Sequence, residues 1–244
     1  MIGIDVETTS LDPSEGDLRL VQITSGKNDV QVFDMYEREG HIVWKHLAEI
    51  VETGELVAHN AVFERKWLKA KLGLDIGVIH DTMIMSQVLY TGTKAALNRS
   101  FSHSLASVVQ RELKIEMDKE EQTSDWGALT LTPAQKRYAA FDAAVLPRLA
   151  RKLLSRIDYA GLRETYELEL RVSHAVDAMQ TYGVAVHTDR LDEMIEDATE
   201  KAASLKAELE AEWGIKPGSS KQLREYFNLD GSLEICSIPR AGAW

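Results

Sequence analysis

A single cysteine, Cys236, rules out a disulfide within the chain and fits a reducing compartment. The seven histidines fall at no zinc-like spacing, and no glycine-rich loop of the phosphate-cradling kind occurs. No apolar run is long enough to span a bilayer, and no signal peptide is visible. Positive charge is also short: 28 Lys and Arg stand against 39 Asp and Glu, a net charge of −11. Broad basic-surface binding to nucleic acid is thereby disfavoured, but an enzyme whose local positive charge comes from metal ions is not. A cytoplasmic protein with no membrane partner is the expectation.

With 244 residues, 44% of them hydrophobic, the chain can hold one good-sized domain and a smaller appendage. Short apolar runs at 2–6, 19–25 and 30–34 read as strands, the last two separated by a turn-rich Ser25-Gly26-Lys27-Asn28-Asp29. A helix is expected over His41–Val51, a strand at Leu56–Ala58, and a helix from Ala61 to Leu72 ended by Gly73. A further strand-to-helix step falls at Val78–Asp81, with the helix running towards Leu89. Residues 92–104 read as a loop, leading into a helix at Leu105–Leu113. Thr132 and Gln135 have capping-box spacing around Pro133, which marks the start of a longer helix. Pro147 inside that helix predicts a kink. From about Asp158 two amphipathic helices follow, at roughly 160–181 and 189–212, then a second capping box, Ser219-x-x-Gln222, and a short helix through Tyr226.

The chemistry lies in four carboxylate islands. Asp5 and Glu7 alternate along the first strand and so share a face. Asn60 and Glu64 are four apart in an expected helix, as are Tyr138 and Asp142. Carboxylates gathered from a strand and separate helices repel unless a cation lies between them, and hard Mg²⁺ or Mn²⁺ is the usual partner. Asp5 and Glu7 could hold two such ions, or be surface acids beside a turn. Glu64 could reach a second ion, or lie on the surface beside Arg65 and Lys66. Asp81 is read as the structural cap of the helix beginning at Thr82. Lys119, Gln122, Ser124, Asp125 and Trp126 could touch a nucleic-acid strand, or form an ordered loop with Trp126 packed inward.

Taken in order, these islands resemble the tyrosine branch (DEDDy) of the DEDD superfamily of 3′–5′ exonucleases. Asp5-Val6-Glu7-Thr8-Thr9-Ser10-Leu11 is similar to its first motif, His59-Asn60-x-x-Phe63-Glu64 to its second, and Tyr138-Ala139-Ala140-Phe141-Asp142 to its third. The resemblance covers residues 1–157. It implies an α/β, ribonuclease-H-like mixed sheet flanked by helices, and hydrolysis with two divalent metal ions, Mg or Mn. By position, Asp5, Glu7, Glu64 and Asp142 would be catalytic metal ligands and Tyr138 the catalytic residue that orients water. Thr8, Leu11, Asn60 and Phe63 would bind substrate, with Leu11 as a wedge against the terminal base. Where this chain has Glu64 the family usually has aspartate, one methylene shorter.

Residues 158–244 form an expected C-terminal, mostly helical appendage. Glu167-x-Glu169-Leu170, Gly183-Val184-x-Val186 and Gly218-Ser219-Ser220-Lys221-Gln222-Leu223 resemble the segment that follows the exonuclease in family A, polymerase I-like DNA polymerases. No palm or fingers follows, so the expectation is the proofreading end of such an enzyme, as a fragment or one piece of a split polymerase. That resemblance implies a single-stranded or frayed 3′ end of DNA as partner, a separate polymerase subunit as another, and the cytoplasm of a bacterium or phage-infected bacterial cell. Two rival readings are a ribonuclease D-like RNA 3′ exonuclease and a catalytically decayed domain that docks a polymerase.

Overall fold

The computed structural model describes residues 1–26, 29–37, 45, 47–50, 54–93, 101–117, 121 and 124–227. Five strands form one mixed sheet: β1 (Ile2–Thr8), β2 (Leu18–Thr24), β3 (Val30–Asp34), β4 (Leu56–Ala58) and β5 (His80–Asp81), in the order β3-β2-β1-β4-β5. The β1–β2 and β2–β3 pairs are antiparallel, and β1–β4 and β4–β5 are parallel. This is the ribonuclease-H-like mixed sheet that the motifs implied. Its helices are α1 (Val62–Leu72), α2 (Thr82–Tyr90), α3 (Leu105–Leu113), α4 (Pro133–Tyr159) and α5 (Arg163–Tyr182). The expected helix at 41–51 lies largely outside the described residues, as do Lys119, Gln122 and 228–244; residues 45 and 47–50 are helical.

Alternation along β1 decides which side does what. Ile4 and Val6 enter a core with Val21, Ile23, Trp67 and Leu68. Gly3 instead faces α4, where an added Cβ would sit 2.9 Å from the Ala143 carbonyl oxygen and 3.0 Å from Pro147 Cδ. Only glycine permits that approach, two residues before Asp5, and it draws the Asp142 end of α4 onto the strand. Pro147 lies within the helix, which continues through to Tyr159. A second core joins α2, α3, α4 and α5 through Met85, Val109, Leu149 and Tyr166.

The capping box at Thr132 is complete: its hydroxyl accepts from the Gln135 N–H (3.1 Å) and Gln135 Oε1 accepts from the Thr132 N–H (2.8 Å). At Ser219 only half forms. The hydroxyl accepts from the Gln222 N–H (3.3 Å), but the Gln222 side chain accepts from the Lys216 N–H at 2.7 Å instead. The chain divides into two compact units, Met1–Gly183 and Val184–Trp244. The second contains α6 (Thr188–Trp213) and α7 (Ser220–Tyr226), joined by Trp213 stacked on Tyr226 at 5.6 Å. No helix among the described residues is long and apolar enough to cross a membrane.

Candidate active site

Asp5, Glu7 and Asp142 converge: one carboxylate oxygen from each lies within 4.8 Å of the others. Two come from β1, which a bulge interrupts between Glu7 and Thr8, and the third from the first half of α4. These residues line a cavity of about 420 Å³ together with His59, Asn60, Phe63, Glu64, Met83, Ser104, Leu105 and Tyr138. The geometry therefore brings all four predicted carboxylates, the tyrosine, Asn60 and Phe63 to one place.

Two of the substrate candidates lie elsewhere. Leu11 is 84% exposed in the loop after β1 and does not line the cavity, and the Thr8 hydroxyl donates to the Ser10 carbonyl at 2.7 Å. Asn60 does not share a helical face with Glu64, because the helix begins at Val62 and Asn60 stands before it with φ of 68°. Asparagine is among the residues that tolerate that left-handed conformation. Trp126 packs inward against Leu20, Leu131 and Ala139 and backs the Tyr138 ring at 6.4 Å. Sequence reasoning gave no site role to His59, Met83, Ser104 or Leu105, all cavity residues; for His59 its place in the second motif, beside Asn60, was the signal available.

The electrostatics are those of a cation site. Burial, then the charge of Asp142, pushes the Asp5 carboxyl well above the usual carboxylate range. Burial and the charges of Asp5 and Asp142 push Glu7 up to about 9. Burial raises Asp142 to about 6, opposed by the hydrogen bond from the Tyr138 hydroxyl. Glu64 is 2% exposed and is also raised, by burial and then by Asp5. Glu64 Oε2 and Asp142 Oδ1 are buried with no protein hydrogen-bond partner. Buried polar atoms are normally satisfied, so these oxygens mark where something outside the protein belongs. Hard oxygen donors suit Mg²⁺ or Mn²⁺, and the donor set fits the group.

A pH dependence follows for the metal-free protein. Groups whose folded pKa lies above the unfolded value bind more protons in the native state, so stability falls as pH rises between the two. The unfolded carboxylates titrate near their ordinary values of about 4. The share from Asp142 is lost between about pH 4 and 6 and that from Glu7 between about pH 4 and 9, so from pH 6 to pH 9 the metal-free Tm should fall by roughly 5 °C or more through Glu7. Saturating Mn²⁺ should flatten or reverse that slope, because ligands bind metal deprotonated. Thermal melts in EDTA and in Mn²⁺ check it; a flat EDTA profile would show the carboxylates to be solvated.

A second cavity, of about 460 Å³, lies between Asp12–Ser14, α1 and α5. Its cations are each matched by an acid: Arg65 with Asp177 at 3.0 Å, Lys66 with Asp12 at 3.7 Å, Lys69 with Asp75 at 3.2 Å. It offers no comparable convergence.

Sheet order, strand-borne Asp5 and Glu7, and the Tyr138–Asp142 pair on a facing helix define a ribonuclease-H-like nuclease domain of the DEDDy class. The chain belongs to the 3′–5′ exonuclease family of the DNA polymerase A type, matched over residues 1–158. It is an enzyme, a phosphodiester hydrolase that works with divalent metal ions. It is similar to the DNA polymerase I of Aquifex aeolicus (strain VF5), 28% identical over 97% of this chain and 41% of that protein. The chain thus spans about two-fifths of the length of that relative. A solved nuclease in its apo form is 26% identical, with a TM-score of 0.65 over 76% of this chain and 88% of its own. The fold also resembles the POL domain of Pol1 from M. smegmatis, solved with DNA primer-template and dNTP (TM-score 0.66, 21% identity, 96% of this chain and 37% of that one).

Proposed function

We propose that this chain removes nucleotides from the 3′ end of DNA, as the proofreading portion of a polymerase I-like enzyme in the cytoplasm. The observation that carries the reading is the convergence of Asp5, Glu7 and Asp142, with unpartnered oxygens on Asp142 and Glu64, in one cavity beside Tyr138. Asp5, Glu7, Glu64 and Asp142 would hold two divalent ions, Mg²⁺ or Mn²⁺. Ions so held lower the pKa of water and stabilise the leaving oxygen of a phosphodiester. Tyr138 orients the attacking water through its hydroxyl. Its pKa is raised by burial and by Asp142, so the hydroxyl stays protonated; that proton is donated in a hydrogen bond to Asp142, and the hydroxyl oxygen is left to accept from the water. Water oxygen bonds to phosphorus, the bond to the 3′ oxygen breaks, and a nucleoside 5′-monophosphate leaves a strand one residue shorter with a free 3′ hydroxyl.

Asn60 and Phe63 line the cavity where the terminal nucleotide would sit. Thr8 and the exposed Leu11 stand outside the cavity lining, and a wedge role for Leu11 against the terminal base rests on the motif resemblance alone. In functional terms residues 1–157 carry the chemistry, and 158–244 are the start of the polymerase-like segment. Likeness to a DNA polymerase I along 97% of the chain supports DNA over RNA.

Digestion of 5′-labelled single-stranded DNA, with matched RNA alongside, in Mg²⁺, Mn²⁺ and EDTA tests the reading. The expected result is a DNA ladder shortening from the 3′ end, absent in EDTA. Faster loss of the RNA would move the assignment to RNA trimming, and no ladder with either metal would leave a docking role.

A further inference from the structure

Building on the nuclease reading, we propose that Asp81 is the positioning residue of this site. Its carboxylate sets the turn at Asn60 and Ala61, and through it the aim of Glu64; Tyr166 on α5 holds it from behind.

Asp81 is buried at 1% exposure and does not itself line the cavity. One of its oxygens accepts from the N–H groups of Met83 (2.7 Å), Asn60 (3.1 Å) and Ile84 (3.3 Å). The other accepts from the Ala61 N–H at 2.8 Å. A single carboxylate thus starts two helices. It is the ordinary cap of α2, and it also serves α1, whose own N-cap, Ala61, has no side-chain acceptor. The bond to Asn60 falls on a non-glycine residue held at φ of 68°, a conformation that needs support from its surroundings.

The consequence for the chemistry is geometric. Glu64 lies in the first turn of α1, three residues after Ala61, and each helical residue turns the chain by about 100°. A start displaced by one residue would swing the Glu64 carboxylate out of the site. A second stitch holds the same junction: Thr82 Oγ1 lies 2.8 Å from His59 Nδ1 and donates to the Ala58 carbonyl at 3.2 Å.

Behind Asp81 stands a chain of hydrogen bonds. The Asp81 N–H donates to the Tyr166 hydroxyl at 3.3 Å, and that hydroxyl lies 2.9 Å from His80 Nδ1. His80 Nε2 lies 3.0 Å from the Glu55 carboxylate, so the chain runs from Tyr166 through the imidazole to Glu55. The two rings stack at 7°. Tyr166 is fully buried and lies past residue 158, where the family match ends, so α5 belongs to the working unit.

Asp81→Asn separates positioning from simple stability. The amide oxygen can keep Asn60, Met83 and Ile84, while the NH₂ faces the Ala61 N–H and repels it. In the full chain, turnover should fall about tenfold or more with KM for a DNA oligonucleotide within about twofold. The Mn²⁺ concentration for half-activation should rise several-fold, and amide exchange at Ala61 should quicken by about tenfold. Tyr166→Phe should shift the same readouts in the same direction by smaller factors. An Asp81→Asn protein that melts earlier yet keeps wild-type turnover, Mn²⁺ midpoint and Ala61 exchange would overturn the proposal. If that variant does not fold, an unchanged Mn²⁺ midpoint and Ala61 exchange in Tyr166→Phe overturn it. Calorimetric Mn²⁺ affinity and amide exchange need no substrate, so they decide the matter even if the wild-type chain cleaves nothing.

Discussion

Asp5→Ala should abolish 3′ exonuclease activity, with a loss of about a thousandfold or more. Asp5 lies on the second strand position before Glu7, shares a cluster with Asp142, and is the group whose charge acts on both Glu7 and Glu64. Its removal takes away the carboxylate that the proposed function makes a metal ligand and whose charge reaches both Glu7 and Glu64. Metal-stabilised charge in such a transition state is worth several kcal/mol, and each decade of rate corresponds to about 1.4 kcal/mol. The same substitution should raise the metal-free Tm at pH 8, since it deletes a buried carboxylate repelled by its neighbours. Opposite signs in activity and stability distinguish a ligand from a folding residue. Turnover within about tenfold of wild type, with no gain in metal-free Tm, would remove Asp5 from the centre of the chemistry.

Glu64→Ala should lower turnover by about a hundredfold while leaving the fold intact. Glu64 stands apart from the tight group of three carboxylates, yet it lines the same cavity, is buried, and leaves Oε2 unpartnered. It enters the cavity from the first turn of α1. Glu64→Asp should retain turnover within about tenfold of wild type, because it keeps the carboxylate and changes only reach. Single-turnover rates in Mg²⁺ and Mn²⁺ with paired thermal melts check both. Near wild-type turnover for Glu64→Ala would take Glu64 out of the site, whatever its burial.

Element types were legible because each had a local cause. The capping box at Thr132, the glycine at 73 and the apolar run at 2–6 are short-range signals, and the structure places helices and strands where they point, the first strand running on to Thr8. Asn60 was misjudged for a local reason too. Nothing in its neighbours shows that a left-handed turn, held by a carboxylate 21 residues away, precedes the helix. Trp126 had two open readings, and only packing against Leu20, Leu131 and Ala139 turned it inward to back Tyr138. For Ser219, the Lys216 N–H, six residues before Gln222, captured the glutamine that the motif assigned to the cap.

The compact unit runs to Gly183, past the family match at 158, because Tyr166 and Leu170 of α5 bury themselves in the core of α2, α3 and α4. That contact reaches across roughly eighty residues of chain, and periodicity within α5 cannot name its partner.

By itself the sequence determined the set of chemical groups and the elements that carry them: acids two apart on a strand, a tyrosine and an aspartate four apart on a helix, and a carboxylate at each remaining motif. Backbone periodicity is enough to fix such relations, since it acts over a few residues. Only the tertiary structure decided that oxygens of Asp5, Glu7 and Asp142 come within 4.8 Å, and that Asp81 ties the starts of α1 and α2 together. Those distances depend on how closely α4 lies on β1 over Gly3 and on where α5 packs. Both are set by side chains from distant parts of the chain excluding water together, which no local pattern encodes.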